Sequence, residues 1–320
     1  MSEKVFFVQN YSAALKNEWD SFINNSGHFT FQFQRLFLDK NELIDQDVSL
    51  IAKDGSGSII AVFPIQLDRD VNELVSHSLS SYGGVVFANH LGVNSRLKIY
   101  ESFMMNLRDS FPGLTFKIRL PPAHVSNNES EIETWILWRL GFSPNSVVLH
   151  SAVDLRDVIT FEKGRVRRDA GPGIEVFETR SPLLVRGLWD VLSEVLKVRH
   201  KTTPVHTYNE IIQLQNEFAG FIRIFVCSRL DQVLGGLVFF NTNNSFHLQY
   251  MAVGPIGRQL SIGDILIRKA LEIATHEDFY FFNFGHSNEK NGLVFNEDLW
   301  SFKTKFGSKE FSATTWSHRL

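Results

Sequence analysis

The chain holds a single cysteine in 320 residues, Cys227, which excludes an internal disulfide. It lies in the apolar run Phe221-Ile-Arg-Ile-Phe-Val-Cys227, the setting of a small core residue rather than of a reactive thiol. Such sparse use of cysteine fits a reducing, cytoplasmic location. No apolar stretch approaches the ~18 uninterrupted residues of a membrane span, and Met1-Ser-Glu-Lys-Val-Phe-Phe-Val lacks the apolar centre of a secretory leader. A basic excess is also missing. Lys and Arg total 32 against 35 Asp and Glu, a formal charge of −3. Proteins that hold a nucleic-acid backbone ordinarily carry net positive charge, so this balance excludes DNA as a main partner and disfavours tRNA. There is no His-x-x-x-His and no cysteine pair to hold a metal. No phosphate-binding Walker loop, no glycine-rich dinucleotide fingerprint and no Gly-x-Ser-x-Gly elbow occurs either. No metal and no permanently bound cofactor is expected.

What the chain does have is apolar mass. Hydrophobic residues make up 43% of it and 29 residues are Phe, enough to build real cores, and 320 residues suit two domains. The spacing of Leu15, Trp19, Phe22 and Ile23 predicts a helix over 12–25 with Ser12 as its cap. Apolar runs at 48–52 and 59–67 flank Asp54-Gly-Ser-Gly57 and predict a hairpin. A turn at Tyr82-Gly83-Gly84, a helix over 95–110, a strand over 114–120, a Trp-rich helix over 131–140 closed by Gly141 and a strand over 147–153 complete the first half. The second half starts with a basic helix over 161–170. A strand over 174–178 and a helix over 183–199 follow. Thr207-x-x-Glu210 is a capping box for a helix over 208–218. Strands over 221–227, 232–240 and 246–253, a helix over 262–274 and a strand over 279–284 follow in turn. This order predicts an α+β fold, with the joint near Asp154–Asp157.

The segment from Phe246 to Gly307 carries the most chemistry. A strand runs into Gly254-Pro255, and Arg258-x-x-Ser261-x-Gly263 then opens a helix. Free N–H groups and the helix dipole favour an anion at such a place. The segment 232–263 resembles the acetyl-CoA core of GNAT-type N-acyltransferases, whose loop reads Gln/Arg-x-x-Gly-x-Gly/Ala; Ser261 stands for the first Gly. Other motifs are similar to the FemAB-like branch, in which two such folds share one chain. They are Tyr82-Gly83-Gly84, Arg165-Val-Arg167-Arg168, Arg199-His200 with Pro204-Val-His206-Thr207, Phe282-Asn283-Phe284-Gly285-His286-Ser287 and Phe302-Lys303-x-x-Phe306-Gly307. Asn283 stands where that branch usually has Asp. The resemblance implies two tandem GNAT-like domains, each a mixed, mostly antiparallel sheet flanked by helices. Residues 1–155 would form the acceptor side and 156–320 the acyl-CoA side.

By the same resemblance, the strands 246–253 and 279–284 splay at the Tyr250–Val253 end and hold the thioester there. Acyl-CoA enters as co-substrate, bound by Tyr250, Met251, Val253, Arg258, Ser261, Gly263 and Phe302. His247, His286 and Lys303 are the candidate catalytic residues. Alternation along 246–253 groups His247 with Gln249 and Met251, opposite Phe246, Leu248 and Tyr250. Arg35, Tyr82, Gly83, Gly84 and His206 are candidates for substrate binding. The expected reaction is N-acylation of a nucleotide-linked amino sugar, as in surface polysaccharide synthesis, by direct attack. One alternative is an aminoacyl-tRNA-dependent transferase acting on a peptidoglycan precursor, which the charge balance disfavours. A second is a non-catalytic binding protein on the same fold. A monomer and a homodimer are both open.

Overall fold

The computed structural model describes residues 6–26, 30–40, 46–76, 80–126, 129–157, 159, 172–230 and 232–320. The expected basic helix over 161–170 lies outside the described residues. The chain folds into two compact units. One comprises Met1–Val148, Lys290–Val294 and Ser312–Leu320; the other comprises Leu149–Glu289 and Phe295–Phe311.

In the first unit, β1 (Phe6–Asn10), α1 (Lys16–Asn25), β2 (Leu50–Asp54) and β3 (Ile59–Phe63) precede β4 (Gln66–Asp68), β5 (Glu73–Ser76) and β6 (Val86–Phe87). Then come α2 (Val93–Ser110), β7 (Thr115–Arg119), α3 (Glu129–Arg139) and the start of β8 (Ser143–Asp154). Helix α1 begins four residues later than expected, after a 3-10 turn at Ala13–Leu15. Ser12 precedes that turn and makes no side-chain cap bond. The β2–β3 hairpin forms as the glycine-rich turn requires, with the Asp54 carboxylate accepting from the N–H of Ser56 and of Ser58. β1, β2, β3 and β6 make one antiparallel sheet. In a second sheet β4 pairs with β5, β5 runs parallel to β7, and Thr315–Arg319 lie antiparallel along β7. The core between them includes Phe63, Tyr100, Phe103, Phe116 and Leu137.

The second unit contains β9 (Ile174–Glu178), α4 (Pro182–His200), α5 (Tyr208–Glu217), β10 (Ile222–Arg229), β11 (Gln232–Phe240) and β12 (Ser245–Val253). A short helix, Pro255–Gln259, leads to α6 (Ile262–His276), β13 (Phe281–His286), α7 (Glu297–Thr304) and the start of β14 (Lys309–Arg319), whose residues from Ser312 on belong to the first unit. β9 to β12 pair antiparallel in the order β9-β10-β11-β12. β12 and β13 are parallel, and β13 lies antiparallel to residues 150–154 of β8. The Phe content goes where composition suggested. Phe225, Phe239, Phe246, Phe282 and Phe306 are all 0–1% exposed and pack with the apolar face of α6. Each such ring stabilises the fold by about 2–3 kcal/mol. Cys227 is in this core, its thiol pushed up to about 11 by burial, which leaves it unreactive.

Candidate active site at the parting of two parallel strands

β12 and β13 pair only through Ser245–Phe281, Phe246–Phe282 and His247–Asn283. Both strands are deformed next to that last pair. β12 shifts register against β11: Phe239 faces Leu248 while Val238 faces Tyr250, so Gln249 is an extra, bulged residue. β13 shifts register against β8 between Asn283 and His286, at Gly285, whose φ is +75°. The fully buried Asn283 pins this second kink, its Oδ1 accepting from the Gly285 N–H at 2.8 Å. The two strands therefore part where the sequence reading placed the splay.

The bulge corrects the expected alternation. A strand with an extra residue exchanges its faces beyond it. Met251 and Val253 consequently pack with Phe246 and Leu248 against the α6 core. Met251 does not share a face with His247. Tyr250 instead turns to α4, where its ring lies 5.8 Å from Trp189.

Lys303 stands at the opening. It projects from α7, is 3% exposed, and its ammonium donates to the carbonyls of Gly285 at 2.9 Å and His286 at 2.8 Å. Burial brings its pKa down to about 7. His247 is 9% exposed, and its Cε1 comes within 3.8 Å of where a Cβ on Gly285 would stand. Burial first, then the charges of Lys303 and His286, press its pKa down to about 4, so its ring is neutral at pH 7. His286 Nδ1 lies 2.9 Å from the Asn288 carbonyl, and its ring is 5.7 Å from that of His150. The three expected catalytic residues are thus gathered at one place. His150, from β8, joins them, and nothing in its local sequence distinguished it.

On the other side of Gln249, His206 meets Tyr250. The imidazole Nδ1 and the phenol oxygen are 2.6 Å apart. Both side chains remain partly exposed. The His206 loop is held by the Trp189 Nε1–H donating to the His206 carbonyl at 3.0 Å, and by the Thr207–Glu210 capping box that starts α5.

The loop before α6 turns on Ser261, whose φ of 55° and ψ of 36° are left-handed. That conformation explains why the related pattern has Gly there. Gly263 permits close approach: a Cβ would lie 2.9 Å from Met251 Cε. Arg258 folds back so that Nη1 donates to the Val253 carbonyl at 2.8 Å. Asp264, in the first turn of α6, pairs with Lys305, whose ammonium also lies 4.5 Å from the centroid of the Phe302 ring.

The remaining candidates belong to the first unit. Arg35 is 1% exposed, stacked 3.3 Å from the Tyr11 ring centroid and 4.1 Å from that of Trp19, and ion-paired with Asp39 and Asp47. Tyr82 is buried. Gly84, with φ of +108°, packs its open face against the Glu133 carboxylate, 2.7 Å from where a Cβ would stand. A Cβ on Gly83 would meet the Ser76 carbonyl at 2.3 Å. Glu133 is a site the sequence reading missed. It is fully enclosed, accepts from Tyr100 Oη and the Val85 N–H, and burial raises its pKa to about 7. Among the described residues no cluster of His, Cys, Asp or Glu is arranged to hold a metal, and no helix is long and apolar enough to cross a membrane.

Residues 160–291 match the family model described as an acetyltransferase (GNAT) domain. No curated protein sequence matches the chain. Among solved structures it is similar to FemX, with 9% identity, a TM-score of 0.67, and coverage of 98% of this chain and 97% of that one. It is also similar to L-PGS from Bacillus licheniformis, at 12% identity and a TM-score of 0.60, covering 96% of this chain and 92% of the other. A tandem GNAT protein from the clavulanic acid biosynthesis pathway aligns with a TM-score of 0.51, 9% identity and 98% coverage of both chains. Residues 160–291 thus match a GNAT domain, and the chain has a mixed α+β fold similar to that of tandem GNAT structures.

Proposed function

We propose that the protein is an N-acyltransferase that moves an acyl group from coenzyme A to the amino group of a nucleotide-linked amino sugar. The observation that carries this reading is the parting of β12 and β13 after His247–Asn283, with the Lys303 ammonium at the gap. Acyl transfer to an amine needs a carbonyl polarised by fixed donors, and a strand released from its partner offers backbone N–H groups for that purpose. In its protonated form Lys303 adds a positive charge in a dry setting, where it stabilises a developing oxyanion far more than it would in water. His247 and His286 complete the polar surroundings of that charge. The start of α6, with Ser261, Gly263 and Arg258, is the proposed seat of the pyrophosphate of coenzyme A, with Met251 and Val253 below it and Phe302 beside Lys305. His206, held at the open end of β12, is the proposed acceptor-side residue. The amine attacks directly, with no covalent enzyme intermediate.

The test is thiol release across a panel of acyl-CoAs and nucleotide-linked amino sugars. Release that depends on both partners supports the proposal, and no release from any pair overturns it. A second reading, transfer of an aminoacyl group from tRNA, is favoured by one observation, the near-complete alignment with FemX. Melting separates the two. A rise in Tm with acyl-CoA and none with aminoacyl-tRNA supports the first reading, and the reverse supports the second.

A further inference from the structure

The half-exposed pair His206–Tyr250 has a different character from the enclosed group around Lys303. Its two residues lie 44 positions apart, yet their polar atoms sit 2.6 Å from each other. His206 is packed at 5.5 Å against the Phe240 ring and 5.9 Å against that of Tyr250. Burial lowers its pKa, opposed by the charge of Glu210, and the imidazole is therefore neutral at pH 7. Burial raises that of Tyr250, which keeps its hydroxyl protonated. In the Nε2–H tautomer of the neutral imidazole, the one that a relay requires, Tyr250 Oη–H donates to Nδ1. The phenol oxygen also faces the backbone N–H of His206 and the side chain of Gln249, the bulged residue beside it. Tyr250 is the first residue beyond the bulge, on the stretch of β12 that has lost β13.

We propose that Tyr250 and His206 form the proton-accepting relay of the transfer reaction, with Tyr250 Oη contacting the attacking nitrogen and His206 receiving the proton from the phenol. The proposal rests on the acyltransferase reading above and supplies the base that reading lacks. The neutral amine attacks the thioester carbon and a C–N bond forms. As the nitrogen becomes positive, its proton passes to Tyr250 Oη while the phenol proton passes to His206 Nδ1. The imidazolium so formed is the charge that Glu210 favours; Glu210 is the charged group that acts on both members of the pair. The C–S bond breaks with its electron pair on sulfur. The proton on His206 returns through Tyr250 to the thiolate or to water, and amide and free thiol result. This division explains why the site needs two differently built polar groups. The enclosed Lys303, in its protonated form, supplies charge to the carbonyl, and the accessible pair exchanges protons with the acceptor.

The experiment compares Tyr250→Phe and His206→Gln with the parent in the thiol-release assay from pH 5.5 to 9. Gln keeps an acceptor for the phenol proton but cannot take that proton. Both variants are expected to lose about 10²–10⁴-fold in kcat. KM for acyl-CoA should change less than threefold, and the acid limb of the kcat/KM profile should vanish. A folded variant that retains both the parent rate within threefold and the acid limb overturns the relay while leaving the acyltransferase reading intact. If the parent itself releases no thiol with any donor, that reading fails and the relay falls with it. A measurement on the parent protein guards against misfolded variants: nitrogen NMR shifts of His206 should report an unprotonated, hydrogen-bonded Nδ1 at pH 7. A protonated Nδ1 overturns the proposal.

Discussion

Lys303 and Glu133 are opposite cases of one rule, that burial disfavours whichever form of a group is charged. For Lys303 the neutral amine is favoured, and its pKa falls from 10.5 to about 7. The unfolded chain therefore holds the proton up to pH 10.5 while the folded chain releases it through about 7. Stability rises with pH across that window. Lys303→Met should flatten the rise in urea titrations between pH 7 and 10, and should lower the transfer rate by about 100-fold or more. In Glu133 the neutral acid is favoured, and its pKa rises from 4.5 to about 7. The stabilising contribution is complete below pH 4.5 and is lost as pH rises through about 7. Glu133→Gln should be less sensitive to pH than the parent between 4.5 and 7, read as the difference in Tm. Of these two, only Lys303 was visible in the sequence, because it stands in a recognisable Phe-Lys motif. Glu133 looks like any surface acid of a helix, and only its contacts with Tyr100 and Val85 reveal its role. The pairing of His206 with Tyr250 was hidden for the same reason: the two residues were singled out separately, and their contact is tertiary.

At the scale of elements, local chemistry was a good guide wherever a turn, cap or period spoke for itself. The Thr207–Glu210 capping box and the Asp54–Gly57 turn are present as expected. The pattern misled where a strand was irregular. The extra residue Gln249 reverses the faces of β12, and no residue type in Phe246-His-Leu-Gln-Tyr250 announces a bulge. β14 was overlooked because its burial does not alternate: Ala313 and Trp316, three apart, are the buried pair. The loop before α6 supports a prediction of its own. Ser261 holds a left-handed backbone at a cost of roughly 1 kcal/mol relative to glycine. Ser261→Gly should therefore raise stability by about that amount in chemical denaturation. If the loop seats a pyrophosphate, acyl-CoA affinity should be kept or improved.

For the molecule as a whole, the order of helices and strands was enough to anticipate a tandem α+β chain, but not how the units share it. Residues 150–154 of β8 pair with β13 in the second unit. Residues 315–319 of β14 pair with β7 in the first. Pairing between distant segments leaves no local trace, so a boundary drawn from composition cannot find it. A fragment of residues 156–320 lacks the strand beside β13. It should show neither cooperative melting nor dispersed amide resonances, whereas the intact chain should show both. The order of synthesis adds a constraint on the growing chain. Residues 1–148 leave the ribosome well before Ser312–Leu320 are made, an interval of roughly ten to thirty seconds at ordinary translation rates. Throughout that time the edge of β7 awaits its partner and is open to pairing with other chains. A premature stop just before residue 312 would make that vacancy permanent, an aggregation hazard for a unit drawn mostly from residues 1–148.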